Sequence, residues 1–463
     1  MNTPFPCGQI HPLRTRREML QQLSCGFGAL AFTALTAHKA AAAETNPLAP
    51  KPTHFAARAK RVIFLCMRGG PSHVDTFDYK PRLVADDGKP GRRPGSVWLA
   101  PKGKFAQHGK GGLWISDLFP NVAKHADALC LLRSMHTEVP AHPQAFLRLH
   151  TGTAQFVRPS LGAWTLYGLG TANENLPGFV TLTPPSGFGG AQNYGSAFLP
   201  AIHQGTRVGA DNRPVAQAEV KNLKAPSAAE AQRLELELIQ SFNREALRLD
   251  PRNAQIEGVI QSYELAFRMQ SQMPAVMDLT KETAATQQLY GIGDRATEDF
   301  GRKCLLARRM VEAGVRFVEI CHGNWDHHFN LSTTLRNSCT SVDKPIAGLL
   351  ADLAARGMLK DTLVIWGGEF GRTPYAQGSD GRDHNHKGFT LWMAGGGVKG
   401  GHSHGATDEF GHEAVQDKVS IHDLHATILH LLGLDHERLT FPHAGRDFRL
   451  TDVHGEVLKT ILA

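Results

Sequence analysis

Several short runs along the chain are almost wholly apolar: 61–67 (RVIFLCM), 129–133, 315–320 (VRFVEI), 362–366 and 389–394. Runs of this length, rich in Val, Ile, Leu and Trp and bounded by Gly or polar residues, predict strands covered on both faces. The stretch LPGFVTLT reads as a further strand. Between the strands, apolar residues recur at helical spacing. They predict helices near 118–126, up to Thr151-Gly152, over PSLGAWTLYGLG, and at 227–250, 253–273, 296–313 and 342–356, with a last one starting near Ser420. Alternation of the two periods predicts an α/β fold: a doubly wound, mostly parallel sheet with helices on both faces. The 342–356 helix would join two strands as a right-handed βαβ unit. The stripe Leu234, Leu238, Phe242 and Leu249 predicts a core face, within a helical insertion near 227–291. Residues 88–112, rich in Gly, Pro and Lys, predict an irregular surface excursion. The tail GRDFRLTDVHGEVL predicts a terminal strand pair.

Chemistry-bearing residues collect where these strands end. In open α/β sheets ligands bind just beyond the carboxyl ends of the strands. After 362–366 come Glu369, Arg372, Asp383, His384, His386 and Lys387; after 315–320 come His322, Asp326, His327 and His328; after the first strand come His73 and Asp75. Carboxylates and imidazoles gathered at such an edge are costly unless something charged sits among them. The expected occupants are metal ions and an oxyanion, with Asp326 and His328 as a metal half-site. For Asp383 the alternative is a loop cap or a hydrogen-bonding partner of a metal-bound imidazole. A loop holding His136, Thr137, Glu138 and His142 precedes a helix start, where free N–H groups favour an anion. Pro143 suits that first turn.

Composition narrows the class. With 41% hydrophobic and 20% charged residues, the 463-residue chain is ordinary for a globular protein. The formal charge is +7, but no basic stripe interleaved with aromatics supports nucleic-acid binding. Thr15-Arg16-Arg17, an apolar run over 23–37 and the small residues 40–43 predict a twin-arginine signal peptide over 1–43. A linker over 44–60 and an α/β domain over 61–463 would follow, in a protein that is periplasmic or otherwise exported. The apolar run is too short to span a bilayer. Cys66, Cys130, Cys304, Cys321 and Cys339 never form a C-x-x-C pair, which argues against a disulfide framework or a zinc knuckle. No dinucleotide glycine fingerprint supports a redox protein.

The motifs GGPSHVDTFD, GGEFGRTP, GRDHNHKGF, AGGGVKGG, TDEFG and HDLHATILHLLGL carry a resemblance. From Arg61 to the C-terminus the chain resembles the exported bacterial family catalogued as domain of unknown function 1501, common in Planctomycetes. That family looks like a branch of the alkaline phosphatase and sulfatase superfamily. The resemblance implies that fold, with one or two metals and a nucleophile at a helix N-terminus. Position by position, Glu369 takes the place of a ligating Asp and Phe370 that of a ligating His. His384 takes that of a metal-binding His before a strand, and Asp326 with His328 that of an Asp-and-His pair. His142 stands in the nucleophile place, where the superfamily carries Ser, Thr or Cys. At the end of the first strand Arg68 and Gly69 stand where an Asp is usual, and Asp75 lies further on.

The resemblance therefore implies an exported, metal-dependent hydrolase of phosphate or sulfate esters, small or polysaccharide. Asp326, His328 and His384 would hold one ion, and Asp75, His142 and Glu369 a second, Zn or Mn being favoured. The ions would activate a water directly, and Arg372 or Lys387 would neutralise the oxyanion. His142 is first a metal ligand and, as an alternative, a nucleophile itself; Thr137 is the fallback nucleophile. The competing expectation is a non-catalytic metal-binding or assembly protein that keeps the fold.

Overall fold

The computed structural model describes residues 48–463 except 212, 219–228 and 251–252. The expected signal peptide lies outside the described residues. A nine-stranded sheet forms the centre. Its strands are β1 (Arg61–Met67), β2 (Leu129–His136), β3 (Phe179–Leu182), β4 (Thr206–Val208), β5 (Phe317–His322), β6 (Thr362–Gly367), β7 (Phe389–Ala394), β8 (His402–His404) and β9 (Val419–Ser420). The order is β8-β2-β7-β6-β1-β5-β3-β4, with β9 also alongside β2. Only β7 runs antiparallel to its neighbours, β2 and β6; every other pairing is parallel.

All six residues of β6 and of β7 are buried, as is Val62–Met67 of β1. Successive side chains point to opposite faces, so both faces of the sheet are covered. The cover comes from α1 (His142–Thr151), α2 (Leu161–Leu169), α5 (Glu298–Glu312), α6 (Leu331–Ala355) and α7 (Ile421–Leu431). The tryptophans of β6 and β7, Trp366 and Trp392, stack 6.0 Å apart, and Trp325 meets Trp366 edge-on at 6.1 Å. Ser420 and Asp423 form a capping box that starts α7, satisfying two otherwise orphan N–H groups.

The antiparallel β7 matters for function. Because β7 enters where β6 and β2 leave, the 368–388 loop, the 137–141 loop and the loop after β5 all lie at one edge of the sheet. The short stretches Gly371–Arg372 and His384–Asn385 pair as a ribbon within that edge, with His384 opposite Arg372.

Three expectations need revision. Leu234, Leu238, Phe242 and Leu249 are not core: they are 66%, 58%, 69% and 82% exposed. Their helix, α3 (Ala229–Leu249), instead turns Gln240 inward, whose amide donates to the Ile260 carbonyl of α4 (Ala254–Met277) at 2.7 Å. Residues 48–60, expected as a linker, run along the domain: Leu48 and Ala59 are buried and Leu48 accepts from the Thr171 amide at 2.8 Å. The 88–112 excursion ends in order, with Phe105–His108 paired to Leu113–Ser116. Of the tail expected to form a strand pair, only Arg446–Phe448 is a strand, and it pairs with Phe441–His443, which precedes that stretch. Among the described residues, no helix is long and apolar enough to cross a membrane.

Buried histidines weaken this fold in acid. Burial lowers His203 and His425 from 6.5 to about 3, and both are buried and neutral. Between those two values the unfolded chain binds protons that the folded chain refuses, so stability is full above about pH 6.5 and falls as pH drops toward 3. Each residue should remove about 4 kcal/mol by pH 3.5. Urea midpoints at descending pH check this: His425→Gln should flatten the slope between pH 6 and 4, and an unchanged slope would refute the assignment.

Candidate metal centre

Three imidazoles and one carboxylate converge at the sheet edge. His142 opens α1, Asp326 and His328 lie on the loop after β5, and His384 sits on the ribbon before β7. Their ligand atoms all lie within 4.8 Å of one another. Asp326 Oδ1 is 2.8 Å from His328 Nε2, 3.2 Å from His142 Nε2 and 3.5 Å from His384 Nε2.

The outward nitrogens fix how these rings face. His142 Nδ1 donates to Glu369 Oε1 at 2.6 Å, His328 Nδ1 to Gln377 Oε1 at 2.6 Å, and His384 Nδ1 to the Pro140 carbonyl at 2.9 Å. A carbonyl or carboxylate only accepts, so each Nδ1 carries a hydrogen. In the neutral ring the other nitrogen, Nε2, then presents a lone pair inward. His328 Nε2 and His384 Nε2 are 3.0 Å apart. Two lone pairs at that distance repel unless a cation or a proton lies between them. His142 Nε2 is buried and makes no hydrogen bond of good geometry. Acceptor groups that orient the outer nitrogen of an imidazole are the usual surroundings of a metal-ligating histidine. The donor set therefore fits a divalent ion.

The metal-free electrostatics point the same way. Burial opposes charge on His142, but Asp326 and Glu369 outweigh it and raise its pKa. Burial also opposes ionisation of Asp326, yet the nearby His142 and His384 imidazoles and the Arg372 guanidinium hold it well below the usual carboxylate range. The same negative surroundings that favour a proton on His142 favour a small cation in its place.

Arg372 is wholly buried and touches Asp326 Oδ1. Its position is set by the carbonyls of Gly69, Gly70 (3.0 Å) and Arg382 (3.2 Å). Gly69 makes this approach possible. Its φ is +114°, and a Cβ there would stand 2.6 Å from the Asp326 backbone nitrogen, which no other residue type tolerates.

Other expected ligands are placed differently. Glu369 is one step out: it orients His142 and accepts from the Gly69 amide at 2.9 Å. Asp75 is not in the group. Its carboxylate is wholly buried against Arg382, at 2.7 and 3.2 Å, and accepts from the Lys102 amide at 2.7 Å. Of the second ion's expected ligands, His142 and Glu369 meet at 2.6 Å while Asp75 lies apart, because Arg382 supplies the charge that neutralises it. Asp383 is exposed, its carboxylate accepting from the His384 amide at 2.8 Å. Lys387 is exposed. Thr137 is buried; its amide bonds the His386 carbonyl and its carbonyl accepts from His386 Nδ1. Phe370 packs its ring 4.6 Å from His142 and 4.7 Å from His384, walling the group.

Sequence reasoning passed over Gln377 and Pro140, the two groups that orient His328 and His384; neither residue type carries a signal. It also left Arg68 without a role. Arg68 lines a cavity of about 660 Å³ that opens onto Asp326, together with Phe188, Asn324, Phe329 and Ser338. Asp326 keeps 45% of its side chain exposed toward solvent.

Glu369→Gln should test the orienting role. The amide keeps the shape but no longer stabilises Nδ1–H with a full charge. Metal affinity should fall about 10- to 100-fold, read by competition with a chelator; an unchanged affinity would separate Glu369 from the centre.

No curated protein sequence matches this chain. Solved structures similar to it include the PsFucS1 sulfatase from Pseudoalteromonas sp., with 14% identity and a TM-score of 0.36 over 83% of this chain and 69% of that one. A protein of the alkaline phosphatase superfamily from Vibrio parahaemolyticus is 10% identical, TM-score 0.34, over 84% and 70%. The alkaline phosphatase from the Antarctic bacterium TAB5 is 10% identical, TM-score 0.33, over 81% and 98%. Likeness at this level says nothing of activity. The match over residues 59–462 is decisive in another respect: the chain belongs to the family described as "Protein of unknown function (DUF1501)".

Proposed function

We propose that this protein is a metal-dependent hydrolase of phosphate or sulfate esters, exported by a twin-arginine signal. The observation that carries the reading is the set of three Nε2 atoms turned inward on Asp326 while all three Nδ1–H groups are held from outside. His142, Asp326, His328 and His384 would hold one ion. Three imidazoles and a carboxylate favour Zn over Mn. Bound there, a divalent ion supplies a polarised ester oxygen and a water of lowered pKa.

The chain's own groups do the rest. Arg372 keeps Asp326 ionised as pH falls, so the carboxylate stays a ligand. The polar cavity beside Asp326 takes the alcohol part of the ester. Arg68, on its wall and 3.6 Å from the Asp211 carboxylate, would exchange that partner for the charged group of the substrate. With His142 ligating through Nε2 and donating through Nδ1, neither nitrogen is left to attack, which favours water as the nucleophile.

A second reading, metal binding without turnover, is favoured by one observation: the residue opening α1 is the imidazole His142, not a hydroxyl or a thiol. Metal quantification with turnover assays on aryl phosphate and aryl sulfate separates the two. Hydrolysis that is lost on chelation and restored by Zn supports the enzyme. A full metal load with no hydrolysis of either ester supports the binding protein.

A further inference from the structure

A second cluster of metal-ligating side chains lies inside the domain, away from the sheet edge. Cys66 of β1 pairs in register with Cys321 of β5, so the two point to the same face of the sheet. Glu319, two residues before Cys321, points there too. His150, near the end of α1, comes down onto them. Cys66, His150, Glu319 and Cys321 are 0%, 5%, 2% and 5% exposed.

His150 Nε2 is 2.6 Å from Glu319 Oε1 and 3.9 Å from Cys66 Sγ; Cys321 Sγ donates to Glu319 Oε1 at 3.4 Å. The ligand atoms of Cys66, His150 and Glu319 all lie within 4.8 Å of one another. His150 Nδ1 donates to the Phe146 carbonyl at 2.7 Å. Its hydrogen is therefore committed outward, and Nε2 faces a buried carboxylate. That contact needs a cation, either a second proton on the ring or a metal. An ion pair of His150 and Glu319 alone does not account for the Cys66 thiol, whose Sγ lies 3.9 Å from His150 Nε2.

We propose that Cys66, His150 and Glu319 form a buried site for one zinc-type divalent ion, with Cys321 donating to Glu319. Thiolate, imidazole and carboxylate are the donor set zinc prefers. Binding releases two protons, from Nε2 of His150 and from the Cys66 thiol. The site is neutral before, as imidazolium and carboxylate, and neutral after, as a dication with one thiolate and one carboxylate. No net charge is added to the core. This proposal does not depend on the sheet-edge centre being catalytic.

Zinc-edge X-ray absorption on the zinc-loaded full chain tests it. The sheet-edge group offers only nitrogen and oxygen, so a zinc–sulfur shell near 2.3 Å reports the buried site. The expected result is two zinc ions per chain with that shell, one ion with a stronger share of it in Asp326→Asn, and its loss in Cys66→Ser and in Glu319→Gln. A fully loaded wild type with nitrogen and oxygen neighbours only overturns the proposal and leaves an ion pair. So does a sulfur shell that survives Cys66→Ser. If Cys66→Ser does not fold, Glu319→Gln and the wild type with Asp326→Asn still decide.

Discussion

Asp326→Asn is expected to strip the sheet-edge centre of its metal and to reduce ester hydrolysis by more than a hundredfold, beyond the 10- to 100-fold that losing an outer partner of a ligand costs. Asp326 Oδ1 is the atom that His142, His328 and His384 all approach. It is also the only carboxylate oxygen in that group. Asparagine keeps the side chain's size and an oxygen acceptor, so Arg372, wholly buried, keeps a partner. Alanine would leave that guanidinium uncompensated and confuse lost chemistry with lost fold. Circular dichroism should therefore stay native while the metal content falls by one equivalent. A variant that retains full metal and full hydrolysis would end the reading of this edge as a metal centre.

The largest stability effect is expected at Asp75 and Arg382. Both are wholly buried, and the guanidinium donates to both carboxylate oxygens. Arg382 also donates to the carbonyls of Thr373, Leu99 and Ala100 at 3.1 to 3.2 Å. Its backbone amide bonds the His327 carbonyl at 3.1 Å. The pair thus ties the ribbon that carries His384 to the loop that carries Asp326 and His328. Asp75→Ala leaves a buried charge without a counter-ion, which costs about 3–5 kcal/mol. Urea unfolding of the metal-free protein measures it, and a loss below about 1 kcal/mol, the level of an exposed pair, would contradict the burial. The same variant separates two roles. As the partner of Arg382, Asp75 can be removed and the molecules that remain folded should still bind metal at the edge with wild-type stoichiometry. If Asp75 were a ligand, that stoichiometry would drop even under conditions where the variant is fully folded.

Both results turn on a distinction that is hard to see along the chain. Strand and helix positions came out of local patterning because a buried strand is apolar at every position and a packed helix at every third or fourth. Phe389–Ala394 matches the expected strand end to end, and α1 ends at Thr151 as its C-terminal glycine requires. The pattern misled at α3, where apolar spacing shows that a helix has a face but not what covers it. The location of the centre was legible too, since Asp326, His328 and His384 all follow buried strands. Their convergence also needed β7 to run antiparallel, which returns His384 to the edge it left.

What the sequence by itself determined is the set of elements, the sheet edge that bears function and the residue types available there. The tertiary structure decided the partners. Asp75 and Glu369 looked alike as acidic residues close behind strands, but one meets an arginine 307 positions away and the other an imidazole 227 positions away. A carboxylate becomes ligand, orienting group or half of an ion pair according to the nearest opposite charge, and distance in space, which sets that energy, is not encoded in distance along the chain.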